Sequence, residues 1–205
     1  MPITINGSGT ITGISAGGLP DNCVTAADLA TTLDLSSNTV TLPSGTGGKI
    51  LQVQTTGALT SQPSTSSQES FGDISGFSAN ITPAATGSKV LVIVSLGRVS
   101  VNHTGGRNTA FRILRDSTAI SVGATAGSRL LASFTVGQYQ GEYTSGISYT
   151  FLDSPSTTSQ VTYKLQWTGQ AGEAHYINRG SGDSDHIDLP NTRTSSSITL
   201  MEVGA

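Results

Sequence analysis

The sequence predicts an all-β fold, a jelly-roll-like antiparallel β-sandwich preceded by an extended N-terminal arm with a short helix, and three observations carry that expectation. Ser, Thr and Gly supply 83 of the 205 residues, while charged residues make up 11% and aromatics 5%. Long helices favour Ala, Leu, Glu, Lys and Arg, whereas Thr, Ser, Gly and scattered Val and Ile suit short strands and turns. From Lys49 onward, apolar and polar residues alternate in at least seven short runs separated by turn residues, the spacing of a sandwich or jelly roll. Residues 1–48 differ in kind, with three Asp, no Lys, no Arg and no aromatic ring, and the first aromatic is Phe71. The expected division is therefore an arm over 1–48 and a β domain over 49–205.

In the arm, Ile3 to Ile14 alternate small polar with β-branched residues, a pattern for extended chain packed against something else. Thr25-Ala26-Ala27-Asp28 matches a capping box and predicts a turn or two of helix through Ala30, and residues 43–48 form a joint. In the β domain, Leu51 and Val53 alternate with Gln52 and Gln54, and Phe77, Ala79 and Ile81 alternate with Ser78, Asn80 and Thr82, so each run reads as a half-buried strand. The Ser-rich stretch 61–70 reads as a surface loop. Val90 to Val94 is apolar on both faces and predicts a central strand, with a bulge at Gly97. Phe111 and Ile113 precede a turn at Asp116-Ser117, and Ile147, Tyr149 and Phe151 form one face of a strand ended by Asp153-Ser154-Pro155. Val161, Tyr163, Leu165 and Trp167 alternate without a fault, and a last strand runs from Ser197 to Val203, with Glu202 expected to be exposed at the chain end.

Composition excludes several functions. Net charge is −3 and the 3 Lys and 7 Arg are scattered singly, so no basic stripe awaits nucleic acid. The longest apolar run, Val90 to Val94, is far short of a membrane span, and the N-terminus lacks a signal-peptide pattern, so synthesis in a cytoplasm is expected. Cys23 is the single cysteine, which excludes an intrachain disulfide and reads as a small buried hydrophobe.

Gly13-Ile14-Ser15-Ala16-Gly17 fits a nucleophile-elbow pattern but lies in the Gly-rich arm, without the strand and helix that elbow needs. Residues 44–50 resemble a phosphate loop, yet Pro43 stands where the first Gly belongs and Ile50 where the magnesium hydroxyl belongs. Asp183, Asp185, His186 and Asp188 cluster, but their oxygen count is low for a loop-contained cation and the segment reads as a solvated turn. No catalytic residue, metal or cofactor is expected. Glycoside hydrolysis would need two carboxylates held about 5–10 Å apart in a cleft, and the 13 acids lie mostly in turns.

The stretch Ile5-Asn6-Gly7-Ser8-Gly9-Thr10-Ile11-Thr12-Gly13-Ile14, followed by Gly18-Leu19-Pro20-Asp21 and Val24-Thr25-Ala26-Ala27-Asp28-Leu29-Ala30, resembles the N-terminal segment of tailed-phage fibre proteins, cyanophage ones included. Gly48 to Val53, Ile81-Thr82-Pro83, Ser88 to Val92, Phe111 to Asp116, Phe151 to Pro155, Val161 to Lys164 and Ile198 to Val203 are similar to a C-terminal domain carried on such fibres. The resemblance implies a homotrimeric virion component. Its arm would dock on other virion proteins and its jelly-roll-like head would face outward, after assembly in the host cytoplasm.

A short fibre that contacts a host-surface glycan or protein is one reading, and a capsid or tail decoration protein with a structural role is the other. The candidates for receptor contact are Tyr139, Tyr143, His175, Tyr176 and Arg179, expected in loops, because amphipathic rings and a guanidinium stack on sugars and donate hydrogen bonds. Subunit interfaces favour the same residue types, so burial between copies is the competing expectation. Trp167 shares its strand's apolar face and is expected in the core.

Overall fold

The computed structural model describes residues 49–204, except 67, 104, 139–144 and 171. The expected arm, its helix and Cys23 lie outside the described residues. The strands are β1 (Ile50–Thr55), β2 (Ser64–Thr65), β3 (Gly72–Ile81), β4 (Lys89–Val101), β5 (Arg107–Arg115), β6 (Thr118–Ile120), β7 (Phe134–Gln138), β8 (Ser145–Asp153), β9 (Val161–Thr168), β10 (His175–Ile177) and β11 (Ser197–Val203). Every pair of these strands is antiparallel.

One sheet runs β1-β11-β4-β8. Strand β10 continues the position of β11 along β4 at Val99–Val101, and β2 pairs with β10 beyond it. The other sheet runs β3-β9-β5, with β6 and β7 sharing the far edge of β5. Each sheet thus interleaves early and late strands, β11 between β1 and β4, and β9 between β3 and β5. Two sheets wound in this way are a jelly roll, as the alternation predicts.

The core lies between the sheets, where the inward positions of both meet. Val90, Val92, Val94 and Leu96 of β4, with Ile198 and Leu200 of β11, face Phe77, Ala79 and Ile81 of β3, Phe111 and Ile113 of β5, and Val161, Tyr163, Leu165 and Trp167 of β9. Each such large side chain contributes about 1.5–3 kcal/mol by leaving water. Trp167 is a core residue, 6.3 Å from the Phe111 ring, which stacks in turn on Phe134 at 5.0 Å. The bulge expected at Gly97 is present as a register break between Leu96 and Val99 where β4 meets β8.

Three expectations are corrected. Glu202 is fully buried, because β11 is an interior strand and the turn after β3 folds over it: Gln52 Nε2 donates to its carboxylate at 2.6 Å and the Ala84 N–H at 2.7 Å. That pairing turns Gln52 inward, so the apolar residues of β1 point to solvent, with Leu51 50% and Val53 52% exposed. The Ser-rich segment 61–70 is mostly exposed but holds the short strand β2.

One end of the inner space is closed by polar side chains. Asp153 at the end of β8 accepts from Arg115 Nη1 of β5 at 2.9 and 3.0 Å and from the Tyr163 hydroxyl of β9 at 2.6 Å, tying one sheet to the other. Burial first, then the Asp153 carboxylate, pushes the Tyr163 pKa far up, so this hydroxyl is a permanent donor.

Candidate functional site

Strand β10 and the loop that follows it gather what the described residues offer for recognition. Asn178 takes up a left-handed conformation at φ 66°, which Asn tolerates, and it anchors the loop: its Nδ2 donates to Leu59 O and Ser61 O, and its Oδ1 accepts from Ser196 Oγ at 2.6 Å. The chain then runs out to residue 193 and returns, with the Thr194 N–H bonded to Asn178 O at 3.1 Å. Arg98 of β4, 6% exposed, supports the loop from below through Nη1, which donates to Thr192 O at 3.2 Å and Thr192 Oγ1 at 3.0 Å. Desolvation lowers the Arg98 pKa.

On the loop, the Arg179 guanidinium lies 4.1 Å over the Tyr176 ring and pairs with Asp183 at 3.0 Å. Arg193 joins the same Asp183 carboxylate and reaches Gln62. An open pocket of about 470 Å³ adjoins this network, lined by Ser181, Gly182, Ser184, His186, Asp188, Pro190 and Asn191. His186 Nδ1 stands 3.2 Å from Asp188, and Asp188 also accepts from Asn191. Ile187 and Leu189 project beside the pocket, 99% and 81% exposed. Hydroxyls, an amide and a carboxylate around an open hollow are hydrogen-bonding groups suited to a polyol or a polar peptide.

Of the five residues the sequence singled out, Tyr139 and Tyr143 lie outside the described residues. His175 is on β10 rather than in a loop and has no exposed surface, because it pairs with Val101 and Thr65 inside the sheet and points inward; as it stands it meets no receptor. Tyr176 also lies on β10, half buried beneath Arg179, which sits in the loop as expected. The sequence does not mark the pocket as a site, although two of its lining residues, His186 and Asp188, belong to the cluster Asp183, Asp185, His186 and Asp188. Asp183 is engaged by Arg179 and Arg193, and among the described residues no group of three or more His, Cys, Asp and Glu side chains is arranged to hold a metal ion.

A second surface is apolar. On the outer face of the first sheet, Val53, Met201, Leu91 and Leu152 stand opposite one another in a row across β1, β11, β4 and β8. Ile93 lies in the next row, between Thr199 and Thr150. The charged residue at the edge of this patch is Lys89, opposite Val203. Val53 and Leu152 are about half exposed. Phe134 and Tyr149, stacked at 4.9 Å, are instead half-buried with Ile147 and Phe151 and pack against the core.

No protein-family model and no curated protein matches the chain. Among solved structures it is similar to the Eiger TNF of S. frugiperda, with 9% identity over 77% of this chain and 96% of that one and a TM-score of 0.38. It is also similar to VP2 of the infectious bursal disease virus subviral particle, with 13% identity over 86% of this chain and 50% of that one and a TM-score of 0.33.

Proposed function

We propose that this chain is a non-enzymatic structural protein of a phage virion, a short homotrimeric fibre displayed on the particle. The observation that carries the reading is the uncharged row Val53–Met201–Leu91–Leu152 on the outer face of the first sheet, which a free monomer leaves in water. Contiguous exposed apolar patches mark association sites. The fibre identity comes from the sequence resemblance, and the arm over residues 1–48 is assigned the docking role toward other virion proteins.

Host contact is assigned to the loop end, where the pocket, Ile187 and Leu189 stand free. A decoration protein is the second reading, favoured by the burial of His175 and the cover of Arg179 over Tyr176, which withdraw two candidate contact groups from solvent.

Light scattering on the whole chain tests the assembly. A trimer is expected that Leu91→Lys and Met201→Lys separate into folded monomers, since both side chains point away from the core. A wild-type chain that stays monomeric at micromolar concentration refutes the reading.

A further inference from the structure

The three histidines stand in three environments. His186 is exposed on the pocket loop. His103, after β4, is half buried, with Nε2 2.7 Å from Arg107 and 3.6 Å from Glu173. His175 is fully buried, and both of its ring nitrogens are engaged: Nδ1 lies 2.7 Å from Thr109 Oγ1 of β5, and Nε2 lies 3.1 Å from the backbone N–H of Gln170. A backbone N–H can only donate. Nε2 is therefore the bare nitrogen, and the ring proton sits on Nδ1, donated to the Thr109 hydroxyl.

The ring has no room to turn away, because it lies against Gly169 so closely that a Cβ there would overlap it. A second proton on the imidazole would have to go on Nε2, where it would point at the hydrogen of Gln170. Charged groups face the ring from two elements: Glu173, in the same turn as Gln170, favours the cation, and Arg107 at the start of β5 opposes it. The paired residues on the flanking strands, Val101 of β4 and Thr65 of β2, carry no charge.

We infer that His175 is an acid-sensitive latch: protonation at Nε2 expels the Gln170 amide, releases the turn carrying Gln170 and Glu173, and loosens β10 while the rest of the jelly roll stays folded. Burial keeps the imidazole pKa below its ordinary range, so the latch is closed at neutral pH and opens only as pH falls past the point at which an exposed histidine has already charged. The consequence reaches the candidate site, because β10 carries Tyr176 and leads directly to Asn178 and Arg179, the anchor and the capping cation of the pocket loop. Acidity would thus change the order of that loop through a group with no surface of its own, as buried histidines do in pH-sensing folds.

Nuclear magnetic resonance on the full isotope-labelled chain, titrated from about pH 8 to about pH 4, tests the latch across the histidine range. The expected result is a His175 ring in the Nδ1–H tautomer at neutral pH that titrates below the ordinary histidine range. As it titrates, the Gln170 amide should shift and exchange about tenfold faster, while the amides of β9 stay protected. In His175→Gln, which cannot take up the proton, Gln170 exchange should no longer follow that titration. The latch is overturned if His175 titrates within or above the ordinary histidine range, if its protonation leaves Gln170 unchanged, or if His175→Gln folds and keeps the acid response. Should His175→Gln not fold, the wild-type titration decides alone.

Discussion

Removing the Asp153 carboxylate tests how the two sheets are held together at the β8 end. Asp153 is 6% exposed and accepts a 2.6 Å bond from Tyr163, whose ring is fully buried, and two contacts from Arg115 Nη1. Asp153→Ala leaves the Tyr163 hydroxyl in the core without an acceptor, which costs about 1–3 kcal/mol beyond the lost charge-assisted bond of about 1.5–3 kcal/mol. Arg115 is partly exposed and retains Ser154 O at 3.1 Å, so its share is at the low end, below about 1 kcal/mol. The sum places Asp153→Ala at about 2.5–7 kcal/mol, against about 1–2 kcal/mol for Tyr163→Phe.

The two changes should not add. Once Asp153 is gone, Tyr163→Phe removes an orphaned hydroxyl, and its cost should fall to about zero or turn favourable. Urea unfolding of the wild type, both single variants and the double variant measures this cycle. If Tyr163→Phe costs the same in both backgrounds, the hydroxyl is not bound to Asp153 and the account of this clamp fails.

Two further outcomes follow from neighbouring sites. Burial alone would raise the Glu202 pKa, but the hydrogen bonds from Gln52 and the Ala84 N–H outweigh it and hold the carboxyl below its usual 4.5. A lowered folded-state pKa gives stability that is present above the unfolded value and lost as pH falls through the folded one. Urea midpoints should therefore drop on acidification in the wild type, and Glu202→Gln should lower stability at neutral pH by about 1–3 kcal/mol and flatten that acid limb. At the β4 bulge, a Cβ on Gly97 would overlap the Ser195 carbonyl oxygen and crowd Thr194, while the Gly97 N–H is already held by Ser196 Oγ at 3.1 Å. Gly97→Ala should cost roughly 1–3 kcal/mol in thermal melting, since backbone must move to admit the methyl group.

Much of the β domain was legible because alternation is a local signal. Phe77-Ala79-Ile81 and Val161-Tyr163-Leu165-Trp167 each put every apolar residue on one side of an extended chain, and that side is buried in both. Elements shorter than the period needed to recognise them escaped notice: β6 and β10 are three residues each and β2 is two, and they exist because a longer neighbour offers them an edge. The site was read less well than the fold. His175 and Tyr176 read as loop residues because β10 is too short to show alternation, and only its pairing with β4 and β2 decides which of the two points inside.

Composition and period together determined that the described residues form short antiparallel strands around one core, that Trp167 belongs to that core, and that Gly97 marks a bulge within a strand. Local chemistry suffices for those properties, since backbone propensity and the parity of neighbouring side chains act within a few residues. The three-dimensional fold alone decided which charges are buried. Glu202, Asp153 and Arg98 read as ordinary surface groups along the chain, and each is enclosed by residues from distant segments: Gln52 and Ala84, Arg115 and Tyr163, Thr192. A charged side chain is stable inside only when its partners arrive with it, and those partners lie as far as 150 residues away in the chain. The same limit applies to the outer row Val53–Met201–Leu91–Leu152, whose members come from four strands and become a surface only when the sheet brings them level.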